Sequence, residues 1–210
     1  MPAEITTVLW SVDESAPEGT PLVVALHGRG SDESAMVGLA TYLPAGFTVA
    51  ALRAPIAEGG GYAWFANRGV GRPIEESIKD TAGAVFEWLD DVREQHSRIF
   101  LLGFSGGTAM AGVLLFLDPQ GFTGAALLSG TLPWDAGFDT SDGALADLPI
   151  FWANDESDPV IPGDLVGRSE EWLRTKSGAI LTERHYPGLG HSISLEELTD
   201  VSGFLTGLAD

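Results

Sequence analysis

The sequence of 210 residues contains no cysteine, and this absence excludes several kinds of site at once. A chain without thiols has no disulfides, no thiolate metal ligands and no cysteine nucleophile. No apolar run reaches the length of about 18 residues that a transmembrane helix needs. Residues 1–4 also lack the basic and apolar segments of a signal peptide. From these absences we expect a cytoplasmic protein.

Basic residues are scarce as well. Eleven lysines and arginines stand against 30 acidic residues, which gives a formal net charge of −19. Such a surface repels phosphate backbones and anionic membranes, so we expect neither nucleic-acid binding nor stable membrane association. The acidic excess is explained by solubility, and adaptation to high salt is the alternative. The sequence leaves open whether the chain forms a homodimer.

Short apolar runs alternate with segments of helical periodicity along the whole chain. This alternation predicts an α/β fold with a mostly parallel sheet of about seven strands, helices on both faces and a single domain over residues 1–210. Residues 132–148 form the only long polar connection in the second half, so no large cap domain is predicted. A turn is predicted at residues 13–20. The predicted strands lie at residues 5–11, 21–26, 47–52, 99–102, 124–128, 149–152 and 179–186.

A G-F-S-G-G segment, residues 103–107, lies between a buried strand and a helical run of small residues. A G-x-S-x-G pattern in a strand–turn–helix context is typical of a nucleophile elbow, in which the serine sits on a strained turn. The glycines allow neighbouring backbone to approach without a Cβ clash. We therefore predict Ser105 as a nucleophile; the alternative is a glycine-rich turn with an incidental serine.

A serine hydroxyl needs a base to accept its proton, and four histidines are available. His191 lies in a glycine-rich loop between the last strand and the last helix, where the base of an elbow enzyme is expected. His96 ends a helix and is expected to interact with its dipole. His185 is expected to pack within the last strand, and His27 comes too early in the chain. His191 is therefore the predicted base.

A carboxylate should orient that imidazole, and it should lie between the serine and the histidine in the chain. Residues 154–158, which follow a buried strand, include three acids. We favour Asp158, because Pro159 restricts its backbone to an extended conformation. Asp155 is the alternative, and Glu156 is interpreted as part of a solvated turn.

An oxyanion hole requires two preorganised N–H groups. One predicted donor is the backbone amide of Gly106, which directly follows Ser105. The other should come from the loop after an early strand, where the backbone amide of Arg29 is the candidate. The Arg29 side chain is expected to be structural or to face solvent.

These motifs resemble the phospholipase/carboxylesterase family of α/β-hydrolases, which includes the acyl-protein thioesterases. The resemblance implies the α/β-hydrolase fold and a serine carboxylesterase with the triad Ser105, His191 and Asp158. It implies a small-molecule ester as substrate and no metal or organic cofactor. The lack of a large cap insertion predicts esters of short or medium chain length. The matching segments are L-H-G-R-G-S-D at 26–32, A-W-F at 63–65, G-F-S-G-G at 103–107, S-D-P-V-I-P at 157–162 and G-L-G-H-S-I at 188–193.

The resemblance is imperfect, and it leaves several alternatives open. Gly106 stands where thioesterases commonly have glutamine, and Ala153-Asn154 stands where the acid loop commonly begins H-G. The resemblance implies that Trp64 lines the acyl site, with a core aromatic as the alternative, and Phe65 belongs to the same predicted groove wall. Alternative functions are an acyl thioesterase, a lysophospholipase and a catalytically silent binding protein.

Overall fold

The computed structural model describes residues 3–12 and 19–209, so that residues 13–18 of the predicted turn lie outside the described residues. Within these ranges the chain forms nine strands and five α-helices. The strands are β1 Val8–Trp10, β2 Leu22–Leu26, β3 Thr48–Leu52, β4 Ile56–Glu58, β5 Gly61–Ala63, β6 Ile99–Phe104, β7 Gly124–Leu128, β8 Pro149–Asn154 and β9 Ile180–His185. The helices are α1 Glu33–Val37, α2 Glu75–Val92, α3 Gly106–Leu117, α4 Gly163–Thr175 and α5 Leu195–Ala209.

Seven of the strands form one sheet in the order β1-β3-β2-β6-β7-β8-β9. Only β1 runs antiparallel to its neighbour, and the other pairs are parallel. This arrangement confirms the predicted mostly parallel sheet. Strands β4 and β5 form a separate antiparallel hairpin within the segment that follows β3.

The central strands are apolar along their whole length because both faces of the sheet are covered. In β2, Leu22, Val24 and Leu26 contribute to one core cluster, which also contains residues of α2, α3 and α4. Val23 and Ala25 face the opposite cluster, which contains residues of α1 and α5. The prediction of helices on both faces is therefore confirmed.

Helix α3 runs through the middle of the larger cluster, and its residues from Gly107 to Leu115 are all buried. The turn before α3 is therefore held on a rigid base. The connection 132–148, which is described throughout, contains turns but no helix or strand, in agreement with the absence of a large cap domain. Within the described ranges, no helix combines the length and the apolar character needed to cross a membrane.

One buried carboxyl group is poorly accommodated by this fold. Glu197 in α5 is 0% exposed, and neither carboxyl oxygen has a hydrogen-bond partner among the described residues. Burial raises the pKa of Glu197 from 4.5 to about 7. The Ser194 backbone lies close enough to the carboxyl group to reduce this shift, but not in the geometry of a hydrogen bond. Because the pKa is raised on folding, ionisation of this group destabilises the fold as the pH increases through about 7.

We therefore expect the variant Glu197→Gln to gain stability relative to the parent protein at pH 8 but not at pH 5. With a pKa of 4.5 in the unfolded and about 7 in the folded protein, the stability should differ by about 2.5 kcal/mol between these two conditions, as an upper bound. Urea unfolding at both pH values measures the difference. Glu196→Gln is the matched control, because Glu196 is the exposed neighbour in the same helical turn. A stability difference that is the same at both pH values would contradict this interpretation of Glu197.

Candidate active site

Ser105 occupies the sharp turn between β6 and α3. Its backbone has φ +55° and ψ −113°, a conformation that non-glycine residues rarely adopt. The surrounding structure holds it there, in part because its N–H donates to the Leu128 carbonyl at 3.0 Å. Such local strain is typical of functional sites and matches the predicted elbow.

The two flanking glycines make this turn sterically feasible. A Cβ atom on Gly103 would lie 2.6 Å from the Gly107 carbonyl oxygen. A Cβ atom on Gly107 would lie 2.0 Å from the Leu26 carbonyl oxygen, in the neighbouring strand. Any side chain at either position would therefore push backbone segments apart. The glycines of the G-x-S-x-G pattern have the close-approach role that the sequence predicted.

His191 and Asp158 reach Ser105 from two other loops. The Ser105 Oγ lies 2.9 Å from His191 Nε2, and His191 Nδ1 lies 2.7 Å from Asp158 Oδ2. The three residues follow β6, β8 and β9, so the carboxyl ends of parallel strands bring them together as expected. With a proton on Nδ1, the imidazole donates to the carboxylate and leaves Nε2 free to accept from the serine hydroxyl.

The Asp158 carboxylate is fixed by its own loop. Its Oδ1 accepts hydrogen bonds from the backbone N–H groups of Val160 at 2.7 Å and Ile161 at 3.1 Å. The side chain is only 3% exposed, and that of His191 is 17% exposed. Because Oδ1 is occupied, Oδ2 is the oxygen that faces the imidazole.

Asp155, the alternative acid, lies in the same loop but does not contact the imidazole. Its Oδ1 accepts from the backbone N–H of Ser157 at 2.9 Å and from the Ser157 hydroxyl at 2.8 Å. Its Oδ2 accepts from the Gly190 N–H at 2.7 Å. These hydrogen bonds, that of Gly190 above all, hold the pKa of Asp155 below its usual range. The geometry therefore selects Asp158 as the partner of His191.

The two amides predicted to form an oxyanion hole lie next to each other. A Cβ atom on Gly106 would be 3.2 Å from the Arg29 backbone nitrogen. A Cβ atom on Gly28 would be 3.4 Å from the Ser105 Cβ, so the loop after β2 packs directly against the elbow. Within the described ranges, neither of the two N–H groups donates a hydrogen bond to the protein. Both remain available to a ligand oxygen beside Ser105.

His27 has a part in this arrangement that the sequence analysis missed. Its Nε2 accepts from the Ala54 backbone N–H at 3.1 Å, so its proton must be on Nδ1, which donates to the Gly28 carbonyl at 2.8 Å. Burial lowers the pKa of His27, which favours this neutral form. The Gly28 carbonyl and the Arg29 N–H belong to one planar trans peptide group and point in opposite directions. His27 therefore fixes the direction of the Arg29 N–H.

An apolar cleft of about 270 Å³ opens beside Ser105 and His191. Phe65 is one of its walls, as predicted, and its backbone carbonyl accepts from the Arg29 guanidinium. The same guanidinium pairs with Glu58 in the β4–β5 hairpin, so the Arg29 side chain has the structural role expected for it. The other apolar residues of the cleft are Val70, Pro73, Ala109, Leu132, Pro133, Val160 and Ile161.

Trp64 requires a correction, because it does not line this cleft. Its side chain is 1% exposed and packs in the core cluster beneath the loop after β2. The indole N–H donates to the His27 carbonyl at 2.8 Å. Of its two interpretations from sequence, the core aromatic is the one that the structure supports.

The remaining histidines lie outside the cleft. The His96 Nδ1 lies 3.0 Å from the Thr20 carbonyl, and its ring stacks on Trp10. The potential metal ligands Glu170, Glu183 and His185 have ligand atoms within 4.8 Å of one another. Internal partners already engage them, because Asn154 contacts both Glu170 and His185 while Arg174 pairs with Glu183. This cluster shares no residue with the cleft.

Comparison with known proteins places this chain in a family. The family model described as phospholipase/carboxylesterase matches residues 9–208. The chain is 28% identical over 141 residues to the carboxylesterase SOBER1 of Arabidopsis thaliana, covering 65% of this chain and 61% of that protein. It is 29% identical over 164 residues to acyl-protein thioesterase 1 of Debaryomyces hansenii, covering 72% and 70%.

A solved structure shows the same fold over nearly the whole chain. The Bacillus cereus carboxylesterase superposes with a TM-score of 0.81 at 22% identity, over 96% of this chain and 94% of that one. The chain spans between 40% and 61% of the length of three plant proteins named as carboxylesterases or probable carboxylesterases. The extent of the family match and the shared fold establish that this chain belongs to the phospholipase/carboxylesterase family of hydrolases.

Proposed function

We propose that the protein is a serine carboxylesterase that hydrolyses short- and medium-chain esters through an acyl-enzyme. The observation that carries this proposal is the unbroken chain of contacts from the Ser105 hydroxyl through His191 to Asp158, at 2.9 and 2.7 Å. A hydroxyl, an imidazole and a carboxylate in this order have the geometry of a nucleophile, its base and the group that orients the base.

In the first step, Ser105 Oγ attacks the ester carbonyl carbon while its proton moves to His191 Nε2. The resulting imidazolium is stabilised by Asp158, which accepts the Nδ1–H. The backbone N–H groups of Arg29 and Gly106 stabilise the negative oxygen of the tetrahedral intermediate. The bond to the alcohol oxygen then breaks, His191 protonates that oxygen, and the acyl group remains bound to Ser105.

The second step hydrolyses the acyl-enzyme. His191, neutral again, accepts a proton from a water molecule as the water oxygen attacks the acyl carbon. The Arg29 and Gly106 amides stabilise the second tetrahedral intermediate as they did the first. Its collapse breaks the bond to Ser105 Oγ, returns the proton from Nε2 to the serine, and releases the carboxylic acid.

The size and lining of the cleft support small substrates. Its volume of about 270 Å³ lies just below the range of typical ligand pockets, roughly 300–1,000 Å³. Its walls are mainly apolar, so each buried methylene of an acyl chain contributes about 0.8 kcal/mol to binding. Val70 and Val160 at its rim are 42% and 46% exposed, so a longer chain would extend into solvent.

An acyl thioesterase is the second candidate. The curated relatives include acyl-protein thioesterase 1 from Debaryomyces hansenii and from Cryptococcus neoformans, the latter 26% identical over 89% of this chain. The same nucleophile, base and amide donors would act on a thioester, with a sulfur atom as leaving group. Gly106, where thioesterases commonly have glutamine, favours the carboxylesterase.

Covalent labelling tests the serine mechanism. A fluorophosphonate probe should modify one residue, Ser105, because this is the hydroxyl activated by His191. Mass spectrometry of the digested protein should find the adduct on the peptide that contains Ser105. The Ser105→Ala variant should remain unlabelled and lose ester hydrolysis. An adduct on another residue, or an active enzyme that the probe does not modify, would contradict the assignment of Ser105 as the nucleophile.

A panel of 4-nitrophenyl esters and matched thioesters, from acetyl to palmitoyl, tests the substrate range. We expect kcat/KM to peak at short or medium acyl chains and to decline for long ones, because the cleft accommodates only a limited chain. Ser105→Ala is the blank for background hydrolysis. A maximum at palmitoyl, or activation at triglyceride droplets, would contradict the proposed range. Thioesters hydrolysed faster than esters would favour the second candidate.

A further inference from the structure

The loop that carries His191 is anchored on the core by Leu189 and Ile193, but the backbone directly before His191 contains two glycines. Gly188 and Gly190 have positive φ values of +83° and +67°, and a Cβ atom on either would meet nothing within 4 Å. The Leu189 N–H donates to the Tyr186 carbonyl at 3.1 Å and closes one turn. Since glycines are conformationally permissive, the direction of the His191 side chain depends on what holds the neighbouring backbone.

Asp155 holds that backbone. Its Oδ2 accepts from the N–H of Gly190, the residue before His191, at 2.7 Å. Its Oδ1 is anchored in its own loop by the Ser157 N–H and hydroxyl, and the residue is 3% exposed. A buried carboxylate with several N–H and O–H donors forms strong, well-directed hydrogen bonds.

We propose that Asp155 is a positioning residue that aims the His191 imidazole between Asp158 and Ser105. Two carboxylates of the loop after β8 would then hold the histidine loop. Asp158 binds the imidazole ring of His191, and Asp155 binds the backbone N–H of Gly190. This inference rests on the proposed function. Asp155 would then have two roles: it stabilises its own turn, and it orients the histidine for catalysis.

The chain offers a matched comparison for that ordinary task. Asp139 begins the same D-x-S pattern, and its Oδ1 accepts from the Ser141 N–H at 2.9 Å, as Asp155 does from Ser157. Asp139 is exposed, and its carboxylate has no hydrogen bond to another loop within the described ranges. Asp139→Asn therefore changes a turn carboxylate without touching the histidine loop.

The variant Asp155→Asn should weaken the tether. An amide has one oxygen, so its NH2 group must face either the Gly190 N–H or the Ser157 N–H, and neither accepts a hydrogen bond. We expect kcat to fall about 10- to 100-fold with KM within about twofold, because misplacement of a catalytic group by about 1 Å can cost that much in rate. Asp139→Asn should retain the parent kcat and KM.

A spectroscopic readout separates positioning from general destabilisation. The Nδ1–H of His191, donated to Asp158, should give a strongly downfield proton resonance in the parent protein. Asp155→Asn should broaden or remove this resonance, and Asp139→Asn should keep it. Asp155→Ser supplies a second variant, because a serine hydroxyl can maintain the local turn but is too short to reach Gly190.

These measurements distinguish the two proposals. If the parent protein hydrolyses no ester and takes no fluorophosphonate, the proposed function fails. If the parent is active but folded Asp155→Asn and Asp155→Ser keep its kcat and its downfield resonance, the role of Asp155 is overturned alone. An equal loss of kcat in Asp139→Asn, or a loss fully explained by the unfolded fraction measured by circular dichroism, would overturn it as well.

Discussion

Replacing Asp158 with asparagine is expected to lower kcat about 10⁴-fold while the protein remains folded. Asp158 Oδ1 accepts from the backbone amides of Val160 and Ile161, and an asparagine oxygen would take that position. Its NH2 group would then face His191 Nδ1, which would have to accept a hydrogen bond. The ring proton would move to Nε2, and Ser105 would lose its base. The expected loss corresponds to about 5.4 kcal/mol of barrier.

Steady-state kinetics on a short-chain ester, with the folded state checked by circular dichroism, measures this effect. Glu156→Gln is the control within the same loop, because Glu156 is exposed, and it should behave like the parent protein. Asp155→Asn should rank between them. If Asp155→Asn costs more activity than Asp158→Asn, then Asp155 is the orienting acid and the geometry of this loop has been misinterpreted.

The fold could be predicted from sequence because the sheet is buried on both faces. Parallel strands covered by helices become continuous apolar runs, such as Leu22–Leu26, and these runs stand out in the sequence. The G-x-S-x-G motif then locates the elbow, because the turn has no room for side chains at its glycines: a Cβ atom on Gly107 would lie 2.0 Å from the Leu26 carbonyl oxygen. The segment 53–72 gave no comparable signal, and its β4–β5 hairpin was not predicted.

Trp64 shows where prediction from sequence fails. Trp64 and Phe65 are adjacent in the bend that follows β5, but only Phe65 lines the cleft, while Trp64 is buried in the core. Which one faces the cleft depends on how the β4–β5 hairpin docks on the loop after β2. That docking is set by hydrogen bonds such as Gly30 N–H to the Tyr62 carbonyl at 2.8 Å, which no local pattern reveals.

The role of His27 was hidden for a similar reason. Its Nε2 partner is the backbone N–H of Ala54, 27 residues along the chain. The two meet because β2 and β3 are parallel neighbours and both residues follow the ends of these strands. A histidine directly after a buried strand, next to a predicted oxyanion loop, was the available signal. From sequence, His27 was considered only as a base for Ser105, and its role in supporting the backbone was not predicted.

The variant His27→Phe is expected to lower kcat about 10²- to 10³-fold, which is the usual cost of losing one oxyanion-hole donor. Phenylalanine keeps an aromatic ring against Trp64, now 5.2 Å from the His27 ring centre, but it cannot donate to the Gly28 carbonyl. The peptide group between Gly28 and Arg29 can then rotate, so the Arg29 N–H no longer points at the developing oxyanion. KM should change little, since the ground-state ester makes weaker use of this donor.

The test must separate this effect from damage to the core, because the Gly28 carbonyl and the Ala54 N–H both lose a buried partner at about 1–3 kcal/mol each. Trp64→Phe is the matched control: it removes the hydrogen bond to the His27 carbonyl and disturbs the same packing, but it leaves the Gly28 peptide held. Affinity for a trifluoromethyl ketone, which forms a tetrahedral adduct on Ser105, should fall in parallel with kcat/KM for His27→Phe. Trp64→Phe should lower the stability of the protein but leave kcat/KM and the affinity for the trifluoromethyl ketone near those of the parent. A His27→Phe protein that is folded and within threefold of the parent kcat would show that the Arg29 amide is aimed by something other than His27.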